Sequence, residues 1–235
     1  MKNLLFLFLL SGFLFRVTAQ SDPKAIEIIK KNIEATGGKD KMMAVKSMIR
    51  KMEISMPFGT SESESFYKNG KFYSKSTMGG NVVMEQKYDG NRVYMNGMQG
   101  TQTLDDEKAV KRMAQQGKIF PALDLYDETG TTLKFIGVEK VEGKDCNKVT
   151  STDAEGNLTT LFYNVETGLL SKMIIKTEFQ GNPVEQTMVF GDYKLVDGLQ
   201  FSHKLTMNSG QFNMEMKISE IKLNPEIPDN TFLID

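Results

Sequence analysis

The sequence predicts a mainly β protein of the α+β class, built on one large curved antiparallel sheet, or half-open β-barrel, of about 11–12 strands. The first observation behind this prediction is an alternation of polar and apolar residues that begins near residue 48 and continues almost to the C-terminus. The second is a series of turn dipeptides between the alternating runs, among them Asn69-Gly70, Asp89-Gly90 and Asp197-Gly198. Such dipeptides supply the positive φ angles that tight hairpins need, so consecutive strands should pair with each other.

Two helices are predicted before the sheet. Asp22 and Pro23 form a favourable helix start, because a carboxylate can cap the first turn and proline fits there. One face of this helix is apolar, with Ile26, Ile29 and Ile33. Gly37-Gly38 should end it, and a short second helix through Met42, Met43 and Val45 should lead into the first strand.

The alternation then predicts five strands, near residues 48–58, 61–68, 71–78, 82–88 and 92–102. Thr103 is predicted to cap a helix that ends at Gly117, and the apolar, non-periodic residues 119–126 are predicted to be a loop. Seven more strands should follow, near residues 131–141, 145–152, 158–163, 169–179, 183–195, 199–207 and 211–223. An open sheet of this size should curl, and the helices should cover its concave face as a lid.

The first 19 residues are predicted to be a secretory signal peptide. Lys2 precedes the apolar residues 4–10, and Val17-Thr18-Ala19 is typical of a cleavage site. An N-terminal membrane anchor is the alternative, but the apolar run is short for a span. We expect cleavage after Ala19, a periplasmic location and a single domain over residues 20–235. Cys146 is the only cysteine, which excludes a disulfide framework.

The alternation assigns Met, Leu, Ile and Phe side chains to the inward face of the sheet, and the chain contains 16 methionines. Methionine is flexible and polarizable, and it lines surfaces that accept varied apolar partners. Simple filling of a core is the alternative explanation for these residues. The candidate ligand-binding residues are Arg50, Met52, Ile54, Met56, Met173, Phe201, His203, Met214 and Met216.

Two polar residues interrupt the apolar faces: Arg50 between Met48 and Met52, and His203 within the strand near 199–207. An unpaired charge on a buried face costs several kcal/mol, so Arg50 needs a partner, a water-filled cavity or a ligand. Arg50 could therefore reach the sheet edge, pair with a buried carboxylate, or contact the polar part of an apolar guest. His203 could equally be a histidine satisfied within the core.

The sequence offers little catalytic chemistry. One histidine and one cysteine cannot build a histidine-rich metal site, and no phosphate loop, dinucleotide motif or zinc-peptidase motif is present. The run Asp105-Asp106-Glu107 is interpreted as a helix start, and Ser61, Ser63 and Ser65 as a solvated strand face. We therefore predict no enzyme activity, no cofactor and no metal. A formal net charge of −1 argues against a nucleic-acid partner.

Five segments together resemble one protein family. They are EATGG (34–38), VKS (45–47), GVEKVEGKDCNKV (137–149), YNVETGLL (163–170) and IPDNTF (227–232). In their order and spacing, the chain resembles the LolA/LolB-like proteins that sort lipoproteins to the bacterial outer membrane. This resemblance implies a half-open barrel with lid helices, a cavity for lipoprotein acyl chains, and an arginine of an early strand that faces the cavity, as Arg50 would.

The sequence thus favours a monomeric periplasmic carrier that holds lipid or the acyl chains of a lipoprotein in a methionine-rich concave cavity. The alternative is a non-catalytic interaction module of a bacterial envelope assembly, in which envelope proteins are the partners and the concave face is a packed core. A hydrolase whose site is assembled by the fold is a third, weaker hypothesis.

Overall fold

A computed structural model describes residues 20–97, 100–127, 130–179, 182–208 and 213–234, with the backbone alone for 177–179 and 182–184. The predicted signal peptide lies outside the described residues. The strands are β1 (Ser47–Met56), β2 (Gly59–Lys68), β3 (Lys71–Met78), β4 (Asn81–Tyr88), β5 (Val93–Gly97), β6 (Gly100–Leu104), β7 (Thr131–Val141), β8 (Lys144–Asp153), β9 (Leu158–Asn164), β10 (Leu170–Phe179), β11 (Asn182–Val196), β12 (Leu199–Asn208) and β13 (Asn213–Leu223).

All 13 strands belong to one sheet, in the order β6-β5-β4-β3-β2-β1-β13-β12-β11-β10-β9-β8-β7. Every neighbouring pair is antiparallel, so the predicted curved, unclosed sheet is confirmed. β6 and β7 are the two edges. The pairing of β1 with β13 joins the strands before and after the helical interruption, so β1 lies in the middle of the sheet.

Within the described ranges, four α-helices accompany the sheet: α1 (Pro23–Thr36), α2 (Lys39–Ala44), α3 (Glu107–Gln116) and α4 (Ala122–Tyr126). As predicted, the Asp22 side chain caps α1, accepting a hydrogen bond from the backbone N–H of Lys24 at 2.9 Å. The cap of α3 is Asp106 and not Thr103, because the Asp106 carboxylate accepts from the Ala109 N–H at 2.9 Å. Thr103 is instead the last but one residue of β6.

Three further details differ from the predictions. The strand expected over residues 92–102 is two strands, β5 and β6, which form a hairpin. The expected loop over residues 119–126 contains α4. Phe58, placed by its alternation on the apolar face of the first strand, lies beyond the end of β1 in the turn to β2 and is 64 % exposed.

The helices all lie on one face of the sheet, which we call the inner face. Beneath α1, the side chains of Ala25, Ile28 and Ile29 pack on Leu133, Val149, Leu161 and Tyr163 of β7, β8 and β9. Beneath α3, Met113 packs on Met48, Tyr67, Phe72, Tyr88 and Val93 of β1 to β5. These two clusters form most of the core.

Two close backbone approaches fix where the helices end. A Cβ atom at Gly37, after α1, would lie 2.5 Å from the Gly198 carbonyl oxygen in the β11–β12 turn. A Cβ atom at Gly117, after α3, would lie 2.6 Å from the Gly70 carbonyl oxygen in the β2–β3 turn. Both turns lie at the same end of the sheet, since they join strands that alternate in direction. The helices therefore cover this end more completely than the other.

The C-terminal segment docks on the sheet. Ile227, Phe232 and Ile234 are buried, and a 3-10 helix (Asp229–Phe232) contacts β3. The Lys68 ammonium donates to the Ile227 carbonyl oxygen and to Asp229, both at 2.7 Å. Within the described residues, no helix has the length and apolar character needed to cross a membrane.

Candidate functional site

The inner face has a covered half and an uncovered half. In the covered half, side chains of the sheet are buried under α1, α2 and α3. The other half lies toward the β1–β2, β3–β4 and β12–β13 turns. Ile54, Met56, Met207, Met214 and Met216 lie there and are half-buried, and none of them belongs to the clusters under the helices. We call this uncovered half the trough.

One side of the trough is a row of methionines, which we call the methionine wall. Met173 lies opposite Met188, Met188 opposite Met207, and Met207 opposite Met214, so that four adjacent strands each contribute one side chain. Met216 stands in the next row, between Ile54 and Leu205. The row of methionines continues through Leu161 and Val149 to Phe135, under α1. A single apolar row thus leads from the trough into the core.

The other side of the trough is polar. Ser61, Ser63 and Ser65 of β2 lie opposite Ile54, Met52 and Arg50 of β1, on the inner face. Ser65 in turn lies opposite Ser74, and Ser63 opposite Ser76. We call Ser61, Ser63, Ser65, Ser74 and Ser76 the serine wall.

The interpretation of the β2 serines as a solvated face was wrong. Ser61 and Ser65 are only 2 % exposed. Glu62 and Glu64, which alternate with the serines, occupy the outer face, where Glu64 pairs with Lys51. Sequence reasoning missed the serine wall because Ser and Glu are both polar, so their alternation does not reveal which of them points inward.

Arg50 stands on β1 between the two walls. Its Nη2 donates a hydrogen bond of 2.7 Å to the Tyr67 hydroxyl, and its guanidinium carbon lies 5.5 Å from the centre of the Tyr67 ring. Its Nε is buried and has no hydrogen-bond partner, and no carboxylate in the described part of the chain forms a salt bridge with it. The sequence left open that Arg50 pairs with a buried carboxylate. The described residues contain no such pair.

The remaining candidate residues lie on the same face but differ in surroundings. Met52 is buried beside Ser63, and Met173 packs against the cluster under α1. Phe201 belongs to the covered half, where its ring centre is 5.7 Å from that of Phe120. His203 is half-buried, with its Nδ1 3.0 Å from the Phe201 carbonyl oxygen. The structure thus brings all nine candidates to one face and leaves Phe201 under the helices.

The curved sheet has two arms, one formed by β1 to β6 and the other by β7 to β13. The helix α3 bridges these two arms. It packs on β3, β4 and β5, and Lys111 on its exposed side forms an ion pair with Glu155 in the β8–β9 turn. A second link joins Lys39 of α2 to Asp127, after α4, at 2.6 Å. Both ion pairs are exposed, and such pairs contribute little to stability. They can nevertheless fix where the helices rest.

The outer face carries the opposite chemistry. A cleft of about 560 Å³ is lined mainly by charged residues of β1, β2 and β3. Lys51 lies there between Glu64 at 3.5 Å and Glu220 at 3.4 Å, and hydrogen bonding to Glu220 raises its pKa. The charge of Lys51 is therefore compensated by two carboxylates. No group of three His, Cys, Asp or Glu side chains in the described ranges is arranged to hold a metal ion.

Solved structures share this architecture. A DUF1329 family protein from Desulfovibrio piger is similar with a TM-score of 0.60 and 13 % identity, over 91 % of this chain and 98 % of that one. A LolA superfamily protein from Nitrosomonas europaea is similar with a TM-score of 0.58 and 12 % identity, over 89 % and 97 %. A domain described as an outer-membrane lipoprotein-sorting protein, from Vibrio parahaemolyticus, gives 0.57 and 12 %, over 89 % and 96 %.

No protein-family model matches the chain, and no curated protein sequence matches it either. At identities of 12–13 %, the likeness to the three structures is evidence of fold. The sequence resemblance is thereby confirmed at the level of fold: the chain has a LolA-like fold, a half-open antiparallel barrel with helices on its inner face.

Proposed function

We propose that this protein is a non-catalytic periplasmic carrier that holds lipid, or the acyl chains of a lipoprotein, in the trough. The observation that carries the proposal is the methionine wall: a row of half-buried methionines on four adjacent strands, of which only Met173 packs against the cluster under α1. Burying an acyl chain on such a surface contributes about 0.8 kcal/mol for each methylene removed from water.

The choice of guest has two supports. The row of methionines is continuous with the apolar core under α1. A long acyl chain could therefore extend along this row if α1 moved away from the sheet. The fold is also that of a domain described as an outer-membrane lipoprotein-sorting protein. In this proposal, Arg50 contacts the polar part of the guest, and release requires α3 and residues 119–126 to move.

The test compares two double substitutions to glutamine. Met214→Gln/Met216→Gln replaces two methionines of the trough with polar side chains of similar length. Lys204→Gln/Lys217→Gln makes the same replacement on the outer face of β12 and β13, where Lys204 and Lys217 lie opposite each other. Binding of a fluorescent C16 fatty acid to the folded proteins is measured by titration.

We expect the methionine variant to bind about tenfold more weakly, because two polar amides then face the chain. The lysine variant should bind like the parent protein. Equal affinities for both variants, with unchanged circular dichroism, would argue that the fatty acid does not lie on the methionine wall.

A second candidate function, an interaction module for an envelope protein, is favoured by the edge strand β7. Its Ile136 and Val138 are 53 % and 58 % exposed, and an unpaired strand edge can accept a strand of a partner. Native mass spectrometry of the protein purified from its own periplasm separates the two candidates. A retained lipid supports the carrier, and a retained protein supports the module.

A further inference from the structure

The serine wall gives the trough a polar side as well as an apolar one. Two rows of the sheet cross it: Arg50, Ser65, Ser74 and Gln86 in one row, and Met52, Ser63, Ser76 and Met84 in the next. The methionine wall stands on the other side of β1. A carrier of bare hydrocarbon chains has no need for a polar wall of this extent beside the apolar one.

The polar groups at this wall are incompletely partnered among the described residues. Buried hydroxyl and guanidinium groups are nearly always hydrogen-bonded, to the protein, to water or to a ligand. The Arg50 Nε is buried and has no hydrogen-bond partner among the described residues, and the serines Ser61 and Ser76 of the wall are 2 % and 8 % exposed. Ser74 is the hydrogen-bond partner of two serines of the wall, Ser65 at 3.0 Å and Ser63 at 3.4 Å.

The charge of this region selects the kind of group that would satisfy it. Arginine only donates hydrogen bonds, and serine hydroxyls can donate as well. The acidic residues of these strands, Glu53, Glu62, Glu64 and Glu85, alternate with the inner-face residues and so lie on the outer face. The inner face here therefore carries a positive charge and free donors, which suit an anion.

A purely structural explanation of the serines is available and can be tested. A strongly curved sheet crowds its inner side chains, and small residues relieve that crowding. Alanine would serve this purpose as well as serine and would leave no hydroxyl unpaired. The hydroxyl groups themselves, and not only their small size, must matter if the wall binds a ligand.

We propose that the serine wall and Arg50 form a subsite for the anionic headgroup, a phosphate or a carboxylate, of an amphiphile whose chain lies on the methionine wall. This rests on the proposed carrier function and adds the class of guest. Neighbouring strands are about 4.8 Å apart, so β2 and β13, which flank β1, are roughly 10 Å apart, a distance that the headgroup, the glycerol backbone and the first carbons of one chain can span together.

The experiment compares two lipids with the same chains: dimyristoyl phosphatidylglycerol, which is anionic, and dimyristoyl glycerol, which is neutral. Binding to the full mature protein is measured by native mass spectrometry and by displacement of a fluorescent fatty acid. The variant is Ser61→Ala/Ser63→Ala/Ser76→Ala, and the matched control is Ser55→Ala/Ser219→Ala on the outer face. Melting temperatures of both variants are measured without lipid.

We expect the parent protein to prefer the anionic lipid by about tenfold, because hydrogen bonds to a charged group are the stronger ones. The triple variant should lose most of this preference and keep its melting temperature and its affinity for the neutral lipid. The control variant should keep the preference.

Three outcomes would overturn the inference. Equal binding of both lipids by the parent protein would refute the anionic subsite and leave the carrier function intact. Binding of neither lipid would refute both proposals. Binding of inorganic phosphate alone, with no lipid bound, would refute an amphiphile as the guest, because the anion site would then act without the methionine wall.

Discussion

Arg50 is held by an aromatic hydroxyl, and its charge is not neutralised by any described carboxylate. Breaking a buried ion pair leaves one charge alone and costs about 3–5 kcal/mol. Among the described residues, Arg50 has no such partner that its removal would leave unpaired. Removing Arg50 should therefore lower the free energy of unfolding much less than removing a paired arginine would.

We expect Arg50→Leu to change the free energy of unfolding by less than about 1 kcal/mol, or to raise it, because one hydrogen bond is lost while an unpaired buried charge is removed. Urea denaturation followed by circular dichroism measures this. Tyr67→Phe, which removes only the hydroxyl, is the control. A loss of 3 kcal/mol or more in Arg50→Leu would mean that the arginine has a structural anionic partner.

The two sides of the trough were not equally predictable. On β12 and β13 the inward methionines alternate with outward Lys and Glu, so the sequence contrast identifies the inner face. On β2 the inward residues are serines between glutamates, and only the pairing of β2 with β1 assigns a face to them. Long-range register of this kind is not encoded in the periodicity of one strand.

At the scale of the elements, α3 contacts both arms of the sheet, and these contacts determine its position. Its C-terminal end is fixed by the contact between Gly117 and Gly70, whereas its exposed side reaches the β8–β9 turn through Lys111 and Glu155. The first contact is a steric fit of backbone on backbone. The second is an electrostatic contact at the surface, so it should be the easier one to release.

Lys111→Glu should loosen α3 while changing the melting temperature little, because the ion pair is exposed. We expect faster amide hydrogen exchange in residues 107–116 than in the parent protein. The charge-swapped variant Lys111→Glu/Glu155→Lys should restore the slower exchange. If exchange in α3 is the same in all three proteins, the ion pair does not hold the helix.

The start of α3 illustrates why element boundaries were harder to predict than elements. Thr103, Asp105 and Asp106 are all suitable capping residues, and the sequence does not rank them. The β5–β6 hairpin decides, because Thr103 pairs with Tyr94 and is held in an extended conformation. Tertiary pairing thus overrides a local preference.

At the scale of the whole molecule, the hairpin meander was largely predictable, because each turn residue joins neighbours in the sheet. The pairing of β1 with β13 was not, since the paired positions are at least 160 residues apart in the sequence, from Ser55 to Glu215, and no local signal specifies the contact. This pairing is also what joins the serine wall and the methionine wall into one trough.

The export prediction concerns the whole chain. Expressed in a Gram-negative bacterium, the protein should be recovered from the periplasmic fraction with Gln20 as its first residue, because cleavage is expected after Ala19. N-terminal sequencing or intact-mass measurement checks this. An intact leader in the membrane pellet would instead indicate an N-terminal anchor.

The two free edges, β6 and β7, determine how the protein could adapt to guests of the proposed kind. In a closed barrel the number of strands and their stagger fix the diameter, so the interior cannot widen without breaking hydrogen bonds. Here the first and last strands of the sheet are not paired with each other. The two arms can move apart by small changes of twist shared among 12 strand pairings, with every ladder intact. The size of the guest that fits would then depend on how far the sheet can bend, and not on the volume of a fixed cavity.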